Sequence, residues 1–325
     1  MATLIPSSPS FVQKHVPPVE FAWLEITPSC TLHCVHCYAF SRPGLGHGKM
    51  SFSDWKNVIA SLAAHGTRFV QFIGGEPTIH PSFCELLHEA GKLGLGIEVY
   101  SNLVGISERM WNLFVRYQVH VATSFYSEMP AVHDTITMVS GSQQKTLADI
   151  QKALALGLRV RVGIVRVNEQ QGIAATKRLL IETGVEAERI GVDRTRGVGR
   201  GAALIQEAPI SALCGKCVKN RCAVTASGEV YPCIFARSFS LGNALKENIG
   251  RIITGTVMQE TVGMLSHAFA QRPRMASVPS TRQCDPDCDP ECDPVYYPPC
   301  DPDCCPETVA SCEPSEPDPC DPDDK

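Results

Sequence analysis

The sequence lacks the two features that would place the chain at a membrane or outside the cell. Its first residues, MATLIPSSPSFVQKHVPP, contain no basic head followed by an apolar run, so no secretory signal is predicted. No apolar stretch approaches the ~20 residues that a membrane-spanning helix requires. No pattern in the chain indicates a nucleic-acid partner. We therefore expect a cytoplasmic protein without a membrane partner.

Cysteine, in contrast, is abundant. A chain of 325 residues is long enough for one large domain and one or two small ones, and it does not need disulfide bonds to fold. It nevertheless contains 16 cysteines. Because clustered cysteines in a reducing compartment bind metal more often than they form disulfides, the composition favours metal binding.

Charge is distributed unevenly along the chain. Residues 283–325 contain ten Asp, four Glu and one Lys, a net charge of −13, which leaves +8 on the rest. This segment, with eight cysteines and few aliphatic residues, cannot build a hydrophobic core alone. Four alternatives remain for its Cys-Asp-Pro triplets: the tail ligates the auxiliary cluster, binds another metal, folds over the active-site mouth, or is unstructured.

Strand-like and helix-like segments alternate between residues 19 and 193. The predicted strands are 19–26, 68–74, 96–102, 120–126, 158–165 and 187–193. Such alternation predicts parallel strands joined by right-handed helical crossovers, and six units are too few for a closed eight-stranded barrel. We therefore predict an α/β fold: a partial (β/α)6 barrel of parallel strands, with ligands at the carboxyl ends of the strands. A small Cys-rich auxiliary domain and the Cys/Asp/Pro-rich tail follow; the predicted segments are 18–205, 206–270 and 283–325.

Three cysteines directly after the first predicted strand form a C-x3-C-x2-C array: Cys30, Cys34 and Cys37. Thiolates suit zinc or iron–sulfur clusters. A structural zinc site normally has four ligands, and His33 or His36 could supply the fourth. A closed structural site has no reason to lie at the mouth of a barrel, whereas three thiolates on a four-iron cubane leave one iron open to a ligand. The position therefore favours an iron–sulfur cluster.

The array and the residues around it resemble a known family. CTLHCVHCY resembles the signature of radical S-adenosylmethionine (SAM) enzymes, and FIGGEP (72–77) resembles their Gly-Gly-Glu-Pro motif. The resemblance covers roughly residues 19–270. It implies a [4Fe-4S] cluster held by the array, SAM bound at the open iron, and a 5′-deoxyadenosyl radical that takes hydrogen from a substrate. It identifies no catalytic residue.

The resemblance also implies a set of SAM contacts. Backbone atoms of Gly74 and Gly75, with Glu76 and Pro77, are expected to receive the SAM ammonium, and Tyr38 to contact adenine. The ribose hydroxyls or the SAM carboxylate would bind polar side chains at strand ends: Ser101, Asn102 and Ser124. Polar residues at strand ends are also common as caps, which is the alternative for these three.

A second cysteine set follows the predicted barrel: Cys214, Cys217, Cys222 and Cys233. VTASGEVYPC predicts two strands joined by a turn at Ser227-Gly228. The segment resembles the auxiliary-cluster domain called SPASM, or its shortened form, called twitch. The resemblance implies a second [4Fe-4S] cluster held by Cys214, Cys217 and Cys233, with Cys222 or a tail cysteine as the fourth ligand. Zinc remains the alternative, because four cysteines are present.

Two further features have no predicted ligand. GVGRGA (197–202) lacks the G-x-G-x-x-G spacing of a dinucleotide-binding loop, and we predict that it joins the barrel to the next domain. Cys84 lies alone in a predicted helix and is expected to be a buried free thiol.

The substrate class also rests on resemblance. AVHDTITMVSGSQQKTLADI (131–150) resembles the His-Asp…Gly-Ser stretch of peptide-maturing members. It implies a ribosomally made peptide that acquires a thioether, a carbon–carbon crosslink or an epimerised residue, with a flavodoxin- or ferredoxin-type electron donor. No leader-binding domain fits before the first predicted strand, so the leader would bind the core or a separate protein.

Alternatives from two classes remain. Within the enzymes, the alternative is a small-molecule radical dehydrogenase or a nucleotide cyclase. In another class, the chain would be a non-catalytic iron–sulfur or zinc protein. The Gly-Gly-Glu-Pro motif argues against that class, because an electron carrier needs no SAM pocket.

Overall fold

The computed structural model describes residues 18–272. The strands are β1 (Phe21–Thr27), β2 (Phe69–Gly74), β3 (Gly96–Tyr100), β4 (His120–Ser124), β5 (Val160–Arg166), β6 (Ile190–Arg194), β7 (Arg221–Thr225), β8 (Glu229–Tyr231) and β9 (Gly242–Asn243). The helices are α1 (Phe52–Ala64), α2 (Phe83–Lys92), α3 (Glu108–Arg116), α4 (Pro130–Thr137), α5 (Ser142–Ala155), α6 (Ile173–Glu182), α7 (Ile249–Thr254) and α8 (Thr256–Ala270). None of the helices within 18–272 is long and apolar enough to cross a bilayer. The predictions for the Cys-Asp-Pro tail lie outside the described residues.

The predicted partial barrel is confirmed. All six predicted strands form, and they lie in one sheet of order β6-β5-β4-β3-β2-β1-β7-β8-β9. Strands β1 to β6 are all parallel, and a helix lies in each of the five connections between them. The sheet is open, with β6 and β9 at its edges.

Burial on both faces of the sheet explains why its first strand is apolar at all positions except Glu25 and Thr27. All seven residues of β1 are buried. Ala22, Leu24 and Ile26 belong to the large core cluster that also contains helix residues, whereas Phe21 and Trp23 belong to a smaller cluster on the opposite face. Parallel strands covered on both faces read as continuous apolar runs, which is why the strands could be predicted.

Side-chain caps set the beginnings of two predicted helices. Ser51 Oγ accepts a hydrogen bond from Asp54 N at 3.2 Å, and Asp54 Oδ2 accepts from Ser51 N at 2.8 Å, which completes a capping box at α1. Ser107 Oγ accepts from Met110 N at the start of α3. Each cap satisfies N–H groups that a helix cannot pair internally.

The second cysteine segment joins the same sheet. The predicted strand–turn–strand is confirmed as β7 and β8, which pair antiparallel. Strand β7 in turn pairs in parallel with β1, so that Phe21 lies beside Arg221. The C-terminal helices α7 and α8 were not predicted, and Met258 of α8 packs in the large core cluster while Leu265 packs in the smaller one.

Candidate functional site

The three-cysteine array lies in the irregular loop that follows β1. Backbone hydrogen bonds fix it: Cys30 N donates to Arg42 O at 3.2 Å. The end of α4 supplies two acceptors, Thr137 O and Ile136 O, for His33 N and Val35 N. Helix α4 is eight residues long and was not predicted, although it lies within the stretch that suggested a peptide substrate.

All three array cysteines line one cavity of about 240 Å³ at the carboxyl ends of the strands. The cavity is also lined by six other residues for which SAM contacts were predicted: Tyr38, Gly74, Gly75, Ser101, Asn102 and Ser124. The structure therefore brings together nine residues that are spread over nearly a hundred positions in sequence. Glu76 and Pro77 are not among the lining residues.

The electrostatics of the array suit a bound cation. Burial, followed by the neighbouring thiols, raises the pKa of Cys34 to about 12, and burial raises the pKa of Cys30 to about 12. Buried thiols of this kind become thiolates only when a metal offsets the charge. Within residues 18–272, no three His, Cys, Asp or Glu side chains form a group that could hold a metal ion. Three thiols on the wall of one cavity suit a four-iron cubane, in which each thiolate binds a different iron.

The two motif glycines let the second strand pass under the cysteine loop. Gly74 has a φ of +149°, and a Cβ on it would overlap Thr27 O. A Cβ on Gly75 would overlap Ser29 O, the carbonyl immediately before Cys30. Gly75 N donates to Thr27 O at 2.6 Å and Glu76 N to Ser29 O at 2.8 Å. The glycines were expected to let the backbone approach SAM. The structure adds that they let the backbone pack closely against the loop that carries Cys30.

We therefore expect Gly75→Ala to impair metal binding as well as SAM binding. The added Cβ would push Ser29 away, at a cost of about 1–3 kcal/mol for overpacking. Iron retained per chain after anaerobic reconstitution measures this effect. Gly46→Ala is the matched control, because a Cβ at Gly46 meets nothing within 4 Å. Normal iron content in Gly75→Ala would contradict the steric argument.

The Glu76 side chain faces the protein and does not line the cavity. Its carboxylate accepts hydrogen bonds from Ser101 Oγ at 2.8 Å, Asn102 N at 2.8 Å, Thr78 Oγ1 at 2.6 Å and Thr78 N at 3.1 Å. It is fully buried, and burial raises the pKa of its carboxyl group. This carboxylate thus positions Ser101 and Asn102, and a contact of Glu76 with the SAM ammonium stays a prediction. Pro77 is likewise buried, at the start of a short 3-10 helix, and does not line the cavity.

The remaining predicted contacts are held by neighbours in the cavity wall. Asn102 Nδ2 donates to Thr31 Oγ1 at 2.9 Å and lies 3.6 Å from Cys30 Sγ, so it belongs to the array's surroundings. Ser124 Oγ and Tyr100 Oη share a hydrogen bond of 2.9 Å.

Tyr38 packs edge-on against Phe235 and lies under the guanidinium of Arg237. Its hydroxyl is buried without a hydrogen-bond partner among the described residues. The ring thus connects the first cysteine loop to the segment after Cys233.

The floor of the cavity is polar, which the sequence interpretation missed. Arg161 donates to both carboxylate oxygens of Glu98, at 2.9 and 2.8 Å, and Gln71 Nε2 donates to the same carboxylate. Gln71 Oε1 is buried without a partner among the described residues. The available signal was the presence of polar residues inside otherwise apolar strands, and the register of β2 and β3 places Gln71 beside Glu98.

In the second cysteine set, Cys222 lies apart from Cys217 and Cys233. Cys217 Sγ and Cys233 Sγ are 3.0 Å apart, and hydrogen bonds with Cys214 and Cys233, followed by burial, raise the pKa of Cys217. Cys222 belongs to the large core cluster on the opposite face of β7, whereas Cys217 and Cys233 belong to the smaller cluster. Cys222 is a fully buried core residue, and whether Cys222 or a tail cysteine is the fourth ligand stays a prediction. Cys84 is a half-buried free thiol in α2.

Comparison with known families agrees with this geometry. Residues 24–170 match the Radical SAM superfamily, and residues 214–292 match the SPASM iron–sulfur cluster-binding domain. The second match continues past the last described residue.

Among curated proteins, the chain is 31% identical to a PqqA peptide cyclase of Rhodopseudomonas palustris over 143 residues, 44% of this chain and 38% of that protein. It is 30% identical to the mycofactocin maturase MftC of Mycobacterium tuberculosis over 191 residues, 57% of this chain and 46% of that protein. The chain thus spans less than half the length of these relatives.

Among solved structures, Streptococcus suis SuiB bound to S-adenosylmethionine matches with a TM-score of 0.62 at 13% identity, covering 81% of this chain and 70% of that one. SuiB bound to its precursor peptide SuiA matches with a TM-score of 0.62 at 14% identity, covering 81% and 69%. At this level of identity, the likeness establishes the fold.

Proposed function

Because the chain contains a radical SAM domain followed by a SPASM domain, we propose that it is a radical SAM enzyme that modifies a ribosomally made peptide. The observation that carries this proposal is the single cavity lined by the three array cysteines, both motif glycines and the polar ends of β3 and β4. A carrier of electrons has no need for such a cavity beside its metal ligands.

Each part of the cavity has a distinct task in this proposal. The thiolates of Cys30, Cys34 and Cys37 hold a [4Fe-4S] cluster. The backbone of Gly74 and Gly75, together with the Ser101, Asn102 and Ser124 side chains, binds and orients SAM. When bound, the cluster and SAM together supply reductive cleavage of the sulfonium and the 5′-deoxyadenosyl radical that abstracts hydrogen.

The cavity walls protect that chemistry. Trp23 and Ile73 from the sheet, with Ile234 and Phe235 from the segment after Cys233, provide apolar surfaces around it. Apolar walls exclude water, which prevents side reactions of a reactive intermediate. Tyr38, which packs against Phe235, would contact the adenine of SAM.

The peptide substrate is proposed from the relatives. The names of two of them, a peptide cyclase and a maturase, describe action on peptides, and SuiB has been solved with a precursor peptide. The product would be a thioether, a carbon–carbon crosslink or an epimerised residue. A flavodoxin- or ferredoxin-type protein would donate the electron.

We also propose a second [4Fe-4S] cluster at Cys214, Cys217 and Cys233. Since Cys222 faces the core, the fourth ligand would come from residues beyond 272. The SPASM match, which continues to residue 292, supports that choice. A cytoplasmic location fits the eight free cysteines among residues 18–272, because a reducing compartment keeps thiols available for clusters.

The proposal is tested with SAM alone. We expect the anaerobically reconstituted and reduced protein to release 5′-deoxyadenosine from SAM, measured by liquid chromatography and mass spectrometry. Absence of the product with several reductants would instead favour an electron carrier. Co-expression with short peptides encoded beside the gene then tests the substrate class, because a crosslink lowers the mass of the peptide by the hydrogen that is lost.

A further inference from the structure

The segment predicted to link the barrel to the next domain lies against the cysteine array. Its glycines make this contact possible. Gly199 has a φ of +60°, and a Cβ on it would overlap the carbonyls of Tyr38 and Cys37. A Cβ on Gly201 would overlap Arg196 O. The segment 197–202 therefore belongs to the surroundings of the array.

Arg200 ties this segment to the loop through three hydrogen bonds. Its backbone N donates to Cys37 O at 2.9 Å. Its guanidinium donates to Cys34 O through Nε at 2.8 Å and to Ser41 O through Nη2 at 2.7 Å. Arg200 thus donates hydrogen bonds to the carbonyls of two array cysteines and of Ser41 in the same loop.

The charge of Arg200 is not neutralised by this contact. Within residues 18–272, no carboxylate forms an ion pair with Arg200. Its neighbours differ, since Arg194 pairs with Glu207 at 2.8 Å and Arg196 with Asp193 at 2.7 Å. A partly buried cation without an anionic partner carries a desolvation cost. A negatively charged group bound nearby would offset that cost.

We propose that Arg200 is a positioning residue and the charge partner of the array: it fixes the carbonyls of Cys34 and Cys37 and stabilises the reduced form of the cluster bound there. This inference rests on the proposed function, because it requires a cluster at the array. A four-iron core with three thiolates is net negative, and reduction adds one further negative charge. Net charge and nearby hydrogen bonds set the potential of such a cluster, so a fixed cation favours the reduced state.

Redox titration of the reconstituted full-length chain tests this inference. The signal to follow is the electron paramagnetic resonance of the cluster that responds to added SAM. Arg200→Met removes the charge, and we expect it to lower the ratio of reduced to oxidised cluster at a fixed potential by about tenfold, which is about 59 mV for one electron. Arg200→Lys keeps the charge but loses the two-armed contact, so we expect a potential close to that of the unmodified protein and a lower iron content.

Arg42→Met is the matched control. Arg42 lies in the same loop, but its side chain is exposed, and solvent and salt screen an exposed charge. We expect a potential shift well below that of Arg200→Met.

The outcomes separate this inference from the function on which it rests. A protein that binds no SAM-responsive cluster at all would overturn both. A cluster whose potential is the same in Arg200→Met and Arg42→Met would overturn the charge role alone, and so would equal shifts in Arg200→Met and Arg200→Lys. If Arg200→Met fails to retain iron while Arg200→Lys retains it, the charge role is supported. Loss of iron in both variants would overturn the charge role and leave Arg200 as a positioning residue only.

Discussion

Cys34→Ala is expected to remove about four irons per chain and to abolish SAM cleavage, because two thiolates should not hold a [4Fe-4S] cubane in place. The structure strengthens the expectation, since the Cys34 carbonyl is fixed by Arg200 and, among residues 18–272, the only other cysteines that line the cavity are Cys30 and Cys37. No other described thiol can therefore substitute. Iron analysis and release of 5′-deoxyadenosine are the measurements.

Cys84→Ala is the control for that experiment. Cys84 is a half-buried thiol in α2, away from the cavity lining. We expect its replacement to leave the iron content and SAM cleavage unchanged. Full iron content with normal cleavage in Cys34→Ala would remove the basis for assigning the array to a cluster.

Replacing Cys214, Cys217 and Cys233 together by Ala is expected to lower the iron content by about four per chain while SAM cleavage persists. None of the three lines the cavity, so the array and the SAM contacts remain. Turnover of the peptide should fail, because these cysteines would be needed only after hydrogen abstraction. Metal analysis and peptide mass spectrometry report the two effects separately.

The structure supplies a sharper control for the triple variant than the sequence could. Cys222→Ala removes a cysteine of the same set, but one that packs in the large core cluster. We expect normal iron content and a stability loss of about 1 kcal/mol from the lost packing. One zinc per chain, lost in the triple variant, would make this segment a structural metal knuckle and would leave the proposal for the array intact.

Much of the fold could be predicted because local signals agreed with each other. Six apolar strands alternated with capped helices, and each strand formed within a few residues of its predicted position. The helix α4 was missed because it is short and contains mostly polar or β-branched residues. Helix α8 was missed because its apolar residues do not form one clear stripe: Met258 and Leu265 serve two different core clusters.

The sequence predicted residues that line one cavity where residue identity alone carried the signal. Three closely spaced thiols and two adjacent glycines have few other uses. The side-chain directions of Glu76 and Cys222 could not be predicted from the sequence, because the direction of a side chain depends on how strands and turns pack. A shift of one residue in the pairing of β7 with β1 would turn Cys222 to the other face. Arg200 was missed since its partners are backbone carbonyls, which leave no trace in a sequence.

The parallel pairing of β7 with β1 has a consequence for where this protein can be divided. Ending the chain after residue 205 would turn β1 into an edge strand. That strand is apolar except at Glu25 and Thr27, and its N–H and C=O groups on one side would be unpaired. Such an edge is a template for pairing with other chains, and so for aggregation. The segments that carry the two cysteine sets therefore belong to one folding unit, in which β7 of the second segment covers the edge of β1 in the first.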